Sequence, residues 1–284
     1  MVAKTFAFDD TLIVNRLGYG TMQLPGPGVW GPSQDPKNAV SVMDAVLNSD
    51  VNFIDTADAY GPLFANDYVK QALVNYQGAH KLIATKVGFT RQGPDKWTPL
   101  GNPNYLRQQV ELNLFTLGLD SLDLIQLHRI DSDYPLSEQV GVLADMQREG
   151  KVKHIGLSQV SVAELEAAQK ITPIASVQNR YNLIDRQDED VLKYAEAHHM
   201  AFIPWYPLAT GQLATENGPL TGIAKKHRAT PAQIALAWLL HHSDVILPIP
   251  GTANLNHFFS NTAAASIELS DAEMAELTNI KTVE

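Results

Sequence analysis

The sequence predicts an α/β fold, a single (β/α)8 barrel, and three observations lead to this prediction. Short apolar runs of strand-like composition alternate eight times with helical patterns. The length of 284 residues suits one barrel of this kind. No Gly/Ser-rich linker, long charge run or low-complexity segment interrupts the alternation. We therefore predict one domain that spans residues 1–284.

Each predicted unit is a strand followed by a helix. In chain order the ranges are 17–22 and 36–48, 51–54 and 66–76, 82–85 and 103–117, 122–127 and 136–149, 152–156 and 163–170, 174–177 and 189–198, 201–204 and 231–241, and 245–249 and 254–264. Before them, alternating residues at 5–8 and 11–14 predict an N-terminal β-hairpin that covers one end of the barrel. After them, Ser270 and Glu273 have capping-box spacing and predict an extra C-terminal helix.

Cap residues support these divisions. An N-cap residue precedes a proline at the first helical position in Asp35-Pro36, Asn102-Pro103 and Thr230-Pro231. Gly118 and Gly150 follow the ends of two predicted helices. The structural alternative is a two-domain doubly wound fold, which usually carries a glycine-rich turn after its first strand. The segment 17–20 lacks the third glycine and precedes a long loop, so we do not expect that fingerprint to bind a dinucleotide.

Composition excludes several classes of function. The 45% hydrophobic share is that of a globular protein with a large core, and the formal charge of -10 argues against nucleic acid as a partner. There is no cysteine, so disulfides and thiolate catalysis are excluded. The first residues do not resemble a secretory signal, and no apolar run approaches the ~20 residues that span a bilayer. We expect a cytoplasmic protein with no membrane partner.

Two histidine pairs, His198-His199 and His241-His242, lie at predicted helix ends. No carboxylate stands at metal-ligand spacing from either pair, so we predict no metal site.

Four polar residues lie at or just beyond the C-terminal ends of three successive predicted strands: Asp55, Tyr60, Lys86 and His128. The C-terminal ends of barrel strands converge on one mouth, where barrel enzymes place their chemistry. An acid, a phenol, an amine and an imidazole gathered there predict proton transfer assisted by charge. Taken singly, each of these residues is more often structural, and only the constellation favours catalysis.

Lys86 ends an apolar strand, so its amine should be held inside the mouth, where Asp55 can pair with it. A charged ammonium would lower the pKa of Tyr60 and make it a usable proton donor, while His128 would orient a substrate oxygen. The alternative is a barrel lyase or aldolase that uses Lys86 as a Schiff-base nucleophile. The set contains no hydride donor, so carbonyl reduction would need a nicotinamide cofactor.

The sequence resembles the aldo-keto reductase superfamily over nearly its whole length. The family tetrad matches Asp55, Tyr60, Lys86 and His128 in motif and order, and further matches are VKHIGLSQVS, VQNRYN, IPWYPLATG and IPGTANLNHFFSN. The resemblance implies a TIM barrel that binds NADP(H), with NAD(H) possible, and reduces aldehydes or ketones with Tyr60 as general acid. The bacterial branch that includes pyridoxal reductases is especially similar, which makes pyridoxal a candidate substrate. The resemblance also implies a monomer.

The resemblance assigns cofactor roles residue by residue. Beside Asp55, the positions implied to contact the cofactor are Gly20, Thr21 and Met22 near the nicotinamide ribose; Ser158, Gln159 and Gln178 at the carboxamide; Trp205 stacked on nicotinamide; Tyr206, Pro207, Leu208 and Gly211 over the pyrophosphate; and Pro250, Gly251, Thr252, His257 and Asn261 at the coenzyme tail. Gly251 and His257 replace a frequent Lys and Arg, which weakens the match to a 2′-phosphate. Trp30 and Trp97 are candidates for the substrate-pocket wall, or loop-packing aromatics.

A non-enzymatic alternative is a nucleotide-sensing subunit like the channel-associated members of the same superfamily. Those members typically bring an extra N-terminal segment, and little of this chain precedes the predicted hairpin.

Overall fold

The computed structural model describes residues 3–209, 213 and 218–281. Its centre is a parallel sheet of seven strands. In order across the sheet, the strands are β11 (Ala201–Phe202), β10 (Ser176–Gln178), β9 (Val152–Ser158), β8 (Leu122–Leu127), β5 (Leu82–Val87), β4 (Phe53–Asp55) and β3 (Tyr19–Gly20). Because every strand in the sheet runs the same way, their C-terminal ends share one edge. The predicted (β/α)8 barrel is confirmed.

The barrel closes through residues 245–251, which form no named strand although a strand was predicted at 245–249. This segment bonds to both edges of the sheet: Leu247 N–H donates to Phe202 O at 2.8 Å, and Gly18 N–H donates to Pro248 O at 2.9 Å. Gly20 and Gly251 then form a parallel bridge. A Cβ on Gly251 would lie 2.6 Å from Gly20 O, so this closure requires a glycine at residue 251.

Helices follow the strands and pack around the sheet. They are α1 (Pro36–Leu47), α2 (Phe64–Val74), α3 (Pro103–Leu117), α4 (Leu136–Arg148), α5 (Val162–Gln169), α6 (Glu189–Ala197), α7 (Thr221–His227), α8 (Pro231–His242), α9 (Leu255–Ala263) and α10 (Asp271–Thr278). The capping box predicted at Ser270 is formed, and Ser161 and Thr230 form two more at the starts of α5 and α8. Helix α7 was not predicted, because its short amphipathic pattern lies in a stretch that was interpreted as a connection.

The predicted N-terminal hairpin is present as β1 (Thr5–Ala7) and β2 (Ile13–Asn15). The carboxylate of Asp9 accepts hydrogen bonds from Thr11 and Leu12 N–H groups and so closes the turn. Asp9 also contacts His154 Nε2 at 2.8 Å, and Phe8 packs near Phe53. Both partners lie near strand starts, so the hairpin covers the N-terminal end of the barrel and leaves the opposite mouth open for chemistry.

A second hairpin lies at that opposite mouth. It consists of β6 (Phe89–Gly93) and β7 (Lys96–Pro99), which directly follow β5. The sequence indicated only a loop here. The hairpin carries Trp97 into the small apolar cluster formed by Ala57, Tyr60 and Ala65.

Candidate active site

The four side chains predicted to converge do meet at the C-terminal edge of the sheet. Asp55 is the last residue of β4, Lys86 lies near the end of β5, and His128 directly follows β8. Tyr60 is placed by a turn after β4, in which its N–H donates to Ala57 O at 3.1 Å. All four are nearly inaccessible, the most exposed being His128 at 7%. We refer to these four residues as the tetrad.

Lys86 is the centre of the tetrad. Its Nζ donates to Asp55 Oδ2 at 2.5 Å, to Thr56 O at 2.9 Å and to the Tyr60 hydroxyl at 3.1 Å. Three acceptors therefore match the three N–H groups of an ammonium. Burial alone would lower the pKa of Lys86, but the Asp55 carboxylate and Tyr60 outweigh it and the pKa is raised. Lys86 stays charged, as the sequence predicted for a paired lysine.

The second oxygen of Asp55 is held by two amides. Gln178 Nε2 donates to Asp55 Oδ1 at 2.9 Å, and Gln126 Nε2 donates to it at 3.2 Å. Gln126 was missed by the sequence analysis. It stands two residues before His128 in β8, and the inward face of a strand repeats every second residue, so a polar residue at that spacing was the available signal.

Tyr60 and His128 are both shifted toward their neutral forms. Burial raises the pKa of Tyr60 and outweighs the Lys86 ammonium, which lowers it. The expectation that Lys86 would lower this pKa overall is therefore wrong, and Tyr60 stays protonated at neutral pH. Burial, together with the positive charges of Lys86, Arg129 and Arg91, holds the pKa of His128 well below its usual value. His128 Nδ1 is buried and has no hydrogen-bond partner among the described residues, which leaves Nε2 to reach a ligand.

Asp58 is a buried carboxyl beside the tetrad that the sequence analysis did not single out. Neither of its carboxyl oxygens has a hydrogen-bond partner among the described residues. Burial raises its pKa well above the usual value. Its backbone N–H donates to Lys86 O at 3.3 Å, so the residue joins the loop that carries Tyr60 to the end of β5.

One wall of the mouth is held together by Arg91. Its guanidinium lies 3.5 Å from the centroid of the Trp97 ring and 5.8 Å from that of Trp30. The guanidinium donates to five backbone carbonyls, those of Gly28, Val29, Ala59, Gly93 and Lys96. Trp97 in turn lies edge-on to Tyr60, with ring centroids 6.3 Å apart. Trp97 therefore lines the site, whereas Trp30 lies beside Arg91 and bridges Gly61, the residue after Tyr60.

The residues implied to hold the nicotinamide lie on the neighbouring strand ends. Ser158 Oγ donates to Gln178 O at 2.8 Å. Gln178 Oε1 accepts no hydrogen bond from the described residues, so an amide acceptor remains available. Gln159 Oε1 accepts from the Trp205 indole at 3.0 Å and thereby fixes the ring that would present a flat face. These groups fit a planar carboxamide-bearing ring.

On the far side of Asp55, Thr21 and Gly20 are buried at the barrel closure. Thr21 N–H donates to Asp55 O at 2.9 Å, and its hydroxyl bonds to Thr56. Met22 is 40% exposed and lies next to them in the chain. The main chain here is thus fixed to the tetrad, while the Met22 side chain remains accessible.

The turn after Trp205 has an unusual backbone. Tyr206 and Ala209 have positive φ angles of 68° and 48°, and Pro207 and Leu208 between them are half-buried. Ala209 N–H donates to Tyr206 O at 3.1 Å. Gly211, predicted to lie over the pyrophosphate, falls outside the described residues.

The implied coenzyme-tail residues lie on an irregular segment and the start of α9. Pro250, Thr252 and Asn261 are buried, whereas Gly251 and His257 are exposed. Asn254 caps α9 by accepting from Asn256 and His257 N–H groups. These two N–H groups at the start of α9 therefore already have a partner. Nor can a lysine replace Gly251 without moving the backbone that closes the barrel.

Within residues 3–209, 213 and 218–281, no group of three or more His, Cys, Asp or Glu side chains is placed to hold a metal ion. In the same part of the chain, no helix has the length and apolar character needed to cross a membrane.

Comparison with known proteins gives consistent matches. Residues 16–282 match the model of the aldo/keto reductase family. The chain is 40% identical to pyridoxine 4-dehydrogenase of Escherichia coli over 99% of both chains. It is 42% identical to an uncharacterized oxidoreductase of Schizosaccharomyces pombe, covering 94% of this chain and 86% of that one. An aldo-keto reductase from Klebsiella pneumoniae in complex with NADPH superposes with a TM-score of 0.82 at 27% identity, covering 98% and 94% of the two chains.

Proposed function

Because the chain belongs to the aldo/keto reductase family, we propose that it reduces aldehyde or ketone carbonyls to alcohols with NADP(H), with Tyr60 as the proton donor. The observation that carries this proposal is the contact of one buried ammonium, Lys86 Nζ, with both Asp55 and the Tyr60 hydroxyl. That arrangement holds a positive charge beside the phenol that must release a proton. The NADPH complex of the Klebsiella pneumoniae relative supports the cofactor.

Each residue of the tetrad has its own role in the proposed reaction. When bound, the dihydronicotinamide supplies a hydride to the carbonyl carbon. Neutral His128 donates a hydrogen bond from Nε2 to the carbonyl oxygen and orients it. Tyr60, kept protonated by burial, transfers its proton to that oxygen as negative charge develops there. Lys86 stabilises the phenolate that remains, and Asp55 keeps Lys86 charged and in place.

Ser158 and Gln178 would hold the nicotinamide carboxamide, and Trp205 would stack on the ring. Gln178 contacts Asp55 through Nε2 and keeps Oε1 for a ligand, so cofactor and tetrad share one residue. His257 is the titratable side chain of the coenzyme tail, and it offers a weaker phosphate contact than arginine does. We therefore propose that NADPH is preferred over NADH only modestly.

Pyridoxal is the candidate substrate, and the supporting observation is the similarity to the Escherichia coli pyridoxine 4-dehydrogenase over the full chain. Aromatic side chains at the mouth, which include Phe89, Trp97 and Trp205, suit a planar ring. The aldolase alternative is disfavoured by geometry, because a Schiff base needs a neutral amine and Lys86 is held as an ammonium with three acceptors.

The test is a panel of carbonyl compounds, including pyridoxal, assayed with NADPH and NADH in parallel. We expect loss of NADPH absorbance with aromatic aldehydes and formation of the alcohol. Borohydride trapping of a substrate adduct on Lys86 would instead support the aldolase. Cofactor binding without turnover of any carbonyl would support the nucleotide-sensing subunit.

A further inference from the structure

Arg129, the residue after His128, is a half-buried cation with unused hydrogen-bond donors. Its Nη1 donates to His128 O at 2.6 Å and to Ser158 Oγ at 3.0 Å. Nε and Nη2 have no partner among the described residues, and no carboxylate in that part of the chain pairs with this side chain. A partly buried guanidinium usually finds a carboxylate or a full set of acceptors.

The other two arginines at the mouth have the kinds of partner that Arg129 lacks, a full set of acceptors for Arg91 and a carboxylate for Arg180. Arg91 donates to five backbone carbonyls and so holds one wall of the mouth together. Arg180 Nε pairs with Asp185 Oδ2 at 2.8 Å. Arg129 therefore differs from Arg91 in having free donors and from Arg180 in having no carboxylate partner among the described residues, and its open edge is what a planar anion binds.

The position of Arg129 places this edge beside the reacting groups. Its guanidinium carbon lies 5.5 Å from the Phe89 ring centroid and 5.7 Å from that of Trp205. Its positive charge acts on both Tyr60 and His128. The free donors thus belong to the same aromatic-lined space as the tetrad.

We propose that Arg129 selects carbonyl substrates that carry an anionic oxygen, a carboxylate or a phenolate, on the same planar ring as the carbonyl. The inference rests on the proposed reductase function and names its substrate class. His128 and Tyr60 would hold the carbonyl oxygen while Arg129 binds the anionic oxygen of the same ring. Pyridoxal belongs to this class, since its ring oxygen next to the aldehyde is readily ionised.

A contact with the coenzyme phosphates fits Arg129 less well. Its neighbours are His128 and Ser158, which lie at the carbonyl and carboxamide end of the site. The residues implied for the coenzyme tail, such as Thr252 and His257, follow the segment that closes the barrel between β11 and β3, and His257 lies on α9.

The test compares pairs of substrates of similar shape, of which one member carries the anionic oxygen and the other is neutral. One pair is 3-carboxybenzaldehyde and 3-formylbenzamide, and the other is 2-hydroxybenzaldehyde and 2-methoxybenzaldehyde, assayed where the phenol is ionised. For at least one pair, we expect the wild type to favour the anion by about 10- to 100-fold in kcat/KM, the range for a hydrogen bond to a charged group. Arg129→Gln should bring that ratio close to one, Arg129→Lys should retain part of it, and Arg180→Gln should leave it unchanged.

The ratio is measured within each variant, so it does not depend on how much of that variant is folded. Equal kcat/KM for acid and neutral partners in the wild type would overturn the inference, as would an unchanged ratio in Arg129→Gln. A fluorescence titration in which Arg129→Gln weakens NADPH binding as much as it lowers kcat/KM would also overturn it and make Arg129 a cofactor residue. No reduction of any aldehyde would instead defeat the reductase proposal itself.

Discussion

The tetrad and the coenzyme segment, residues 250–261, lie at the same mouth but are built differently. The tetrad depends on regular strands: Lys86 pairs in register with Gln126, and its side chain is fully buried among fixed acceptors. The coenzyme segment follows an irregular closure, and its candidate phosphate contacts include the exposed His257. Buried charge in a fixed geometry supports large effects, whereas exposed charge is screened and supports small ones. Changes in the tetrad should therefore affect turnover strongly, and changes in the coenzyme segment should shift only cofactor preference.

The largest effect is expected for Tyr60→Phe. Removing a positioned general acid lowers turnover by about 10²- to 10⁴-fold, while NADPH binding should stay nearly intact because the ring remains. Tyr76→Phe is a matched control, since the Tyr76 hydroxyl donates to the nearby Ala79 O, which precedes β5, whereas the tetrad lies where the strands end. Steady-state rates measure turnover, and a fluorescence titration measures NADPH binding. Near-normal turnover in Tyr60→Phe would contradict the expectation that changes in the tetrad affect turnover more strongly than changes in the coenzyme segment do.

Lys86→Met should also abolish most turnover, and it should change the pH dependence of alcohol oxidation. Oxidation needs Tyr60 as a base, and the ammonium favours the phenolate, so without Lys86 the pKa of Tyr60 rises further and the residual rate requires a higher pH. The control is Lys81→Met. Lys81 is a buried lysine directly before β5, and its ammonium donates to Ser49 O and Val51 O. A residual activity with the wild-type pH profile would show that Lys86 acts only structurally.

Lys86→Met leaves the Asp55 carboxylate buried without its cation, which costs about 3–5 kcal/mol of stability. The double variant Asp55→Asn with Lys86→Met removes both charges and should recover much of the free energy of unfolding without recovering turnover. Denaturant unfolding measures the role of Lys86 in stability, and turnover measures its role in the chemistry. Recovery of turnover in the double variant would contradict the assignment of Lys86 to the chemistry.

A smaller effect, on stability alone, is expected for Asp58→Asn. Burial raises the pKa of Asp58, so the stability contributed by its protonated form is fully present below the ordinary value of 3.8 and is lost as the pH rises through the raised pKa. Asn cannot ionise, and a buried unpaired carboxylate costs several kcal/mol. Asp58→Asn should therefore match the wild type near pH 4 and exceed it by about 1 kcal/mol or more at pH 8. A stability difference between Asp58→Asn and the wild type that stays the same from pH 4 to pH 8 would contradict the assignment of Asp58 as a buried carboxyl.

Most of the fold and the tetrad could be predicted from the sequence because both depend on local, periodic signals. The ends of α3 and β8 agree with the predicted residues, since Asn102-Pro103 starts the helix and Gly118, with φ of 70°, ends it. Strand ends place side chains at one edge whatever the loops do. Asp55, Lys86 and His128 could therefore be grouped before their distances were known.

The remaining features depend on contacts that have no local signature. Arg91 reaches carbonyls more than sixty residues away in sequence, as in its bond to Gly28 O. The direction of the Tyr60 pKa shift depends on how completely the site is buried, which a spacing of residues does not reveal. The closure at Gly251 likewise depends on Gly20 O, which comes from the opposite end of the chain.

The smallest effect is expected in the coenzyme segment, where His257→Arg should raise the NADPH preference over NADH. Arginine brings a permanent charge and a bidentate donor for a 2′-phosphate. Because residue 257 is exposed, we expect a gain of only about two- to fivefold, the ~0.5–1 kcal/mol of an exposed ion pair. The control Asn256→Arg adds the same charge one residue earlier on α9 and should change the preference less. Parallel titrations of NADPH and NADH with each variant give the ratio of the two affinities. An equal gain in NADPH preference from His257→Arg and Asn256→Arg would mean that His257 does not face the phosphate. A gain in preference as large as the loss of turnover in Tyr60→Phe would contradict the distinction between buried and exposed charge.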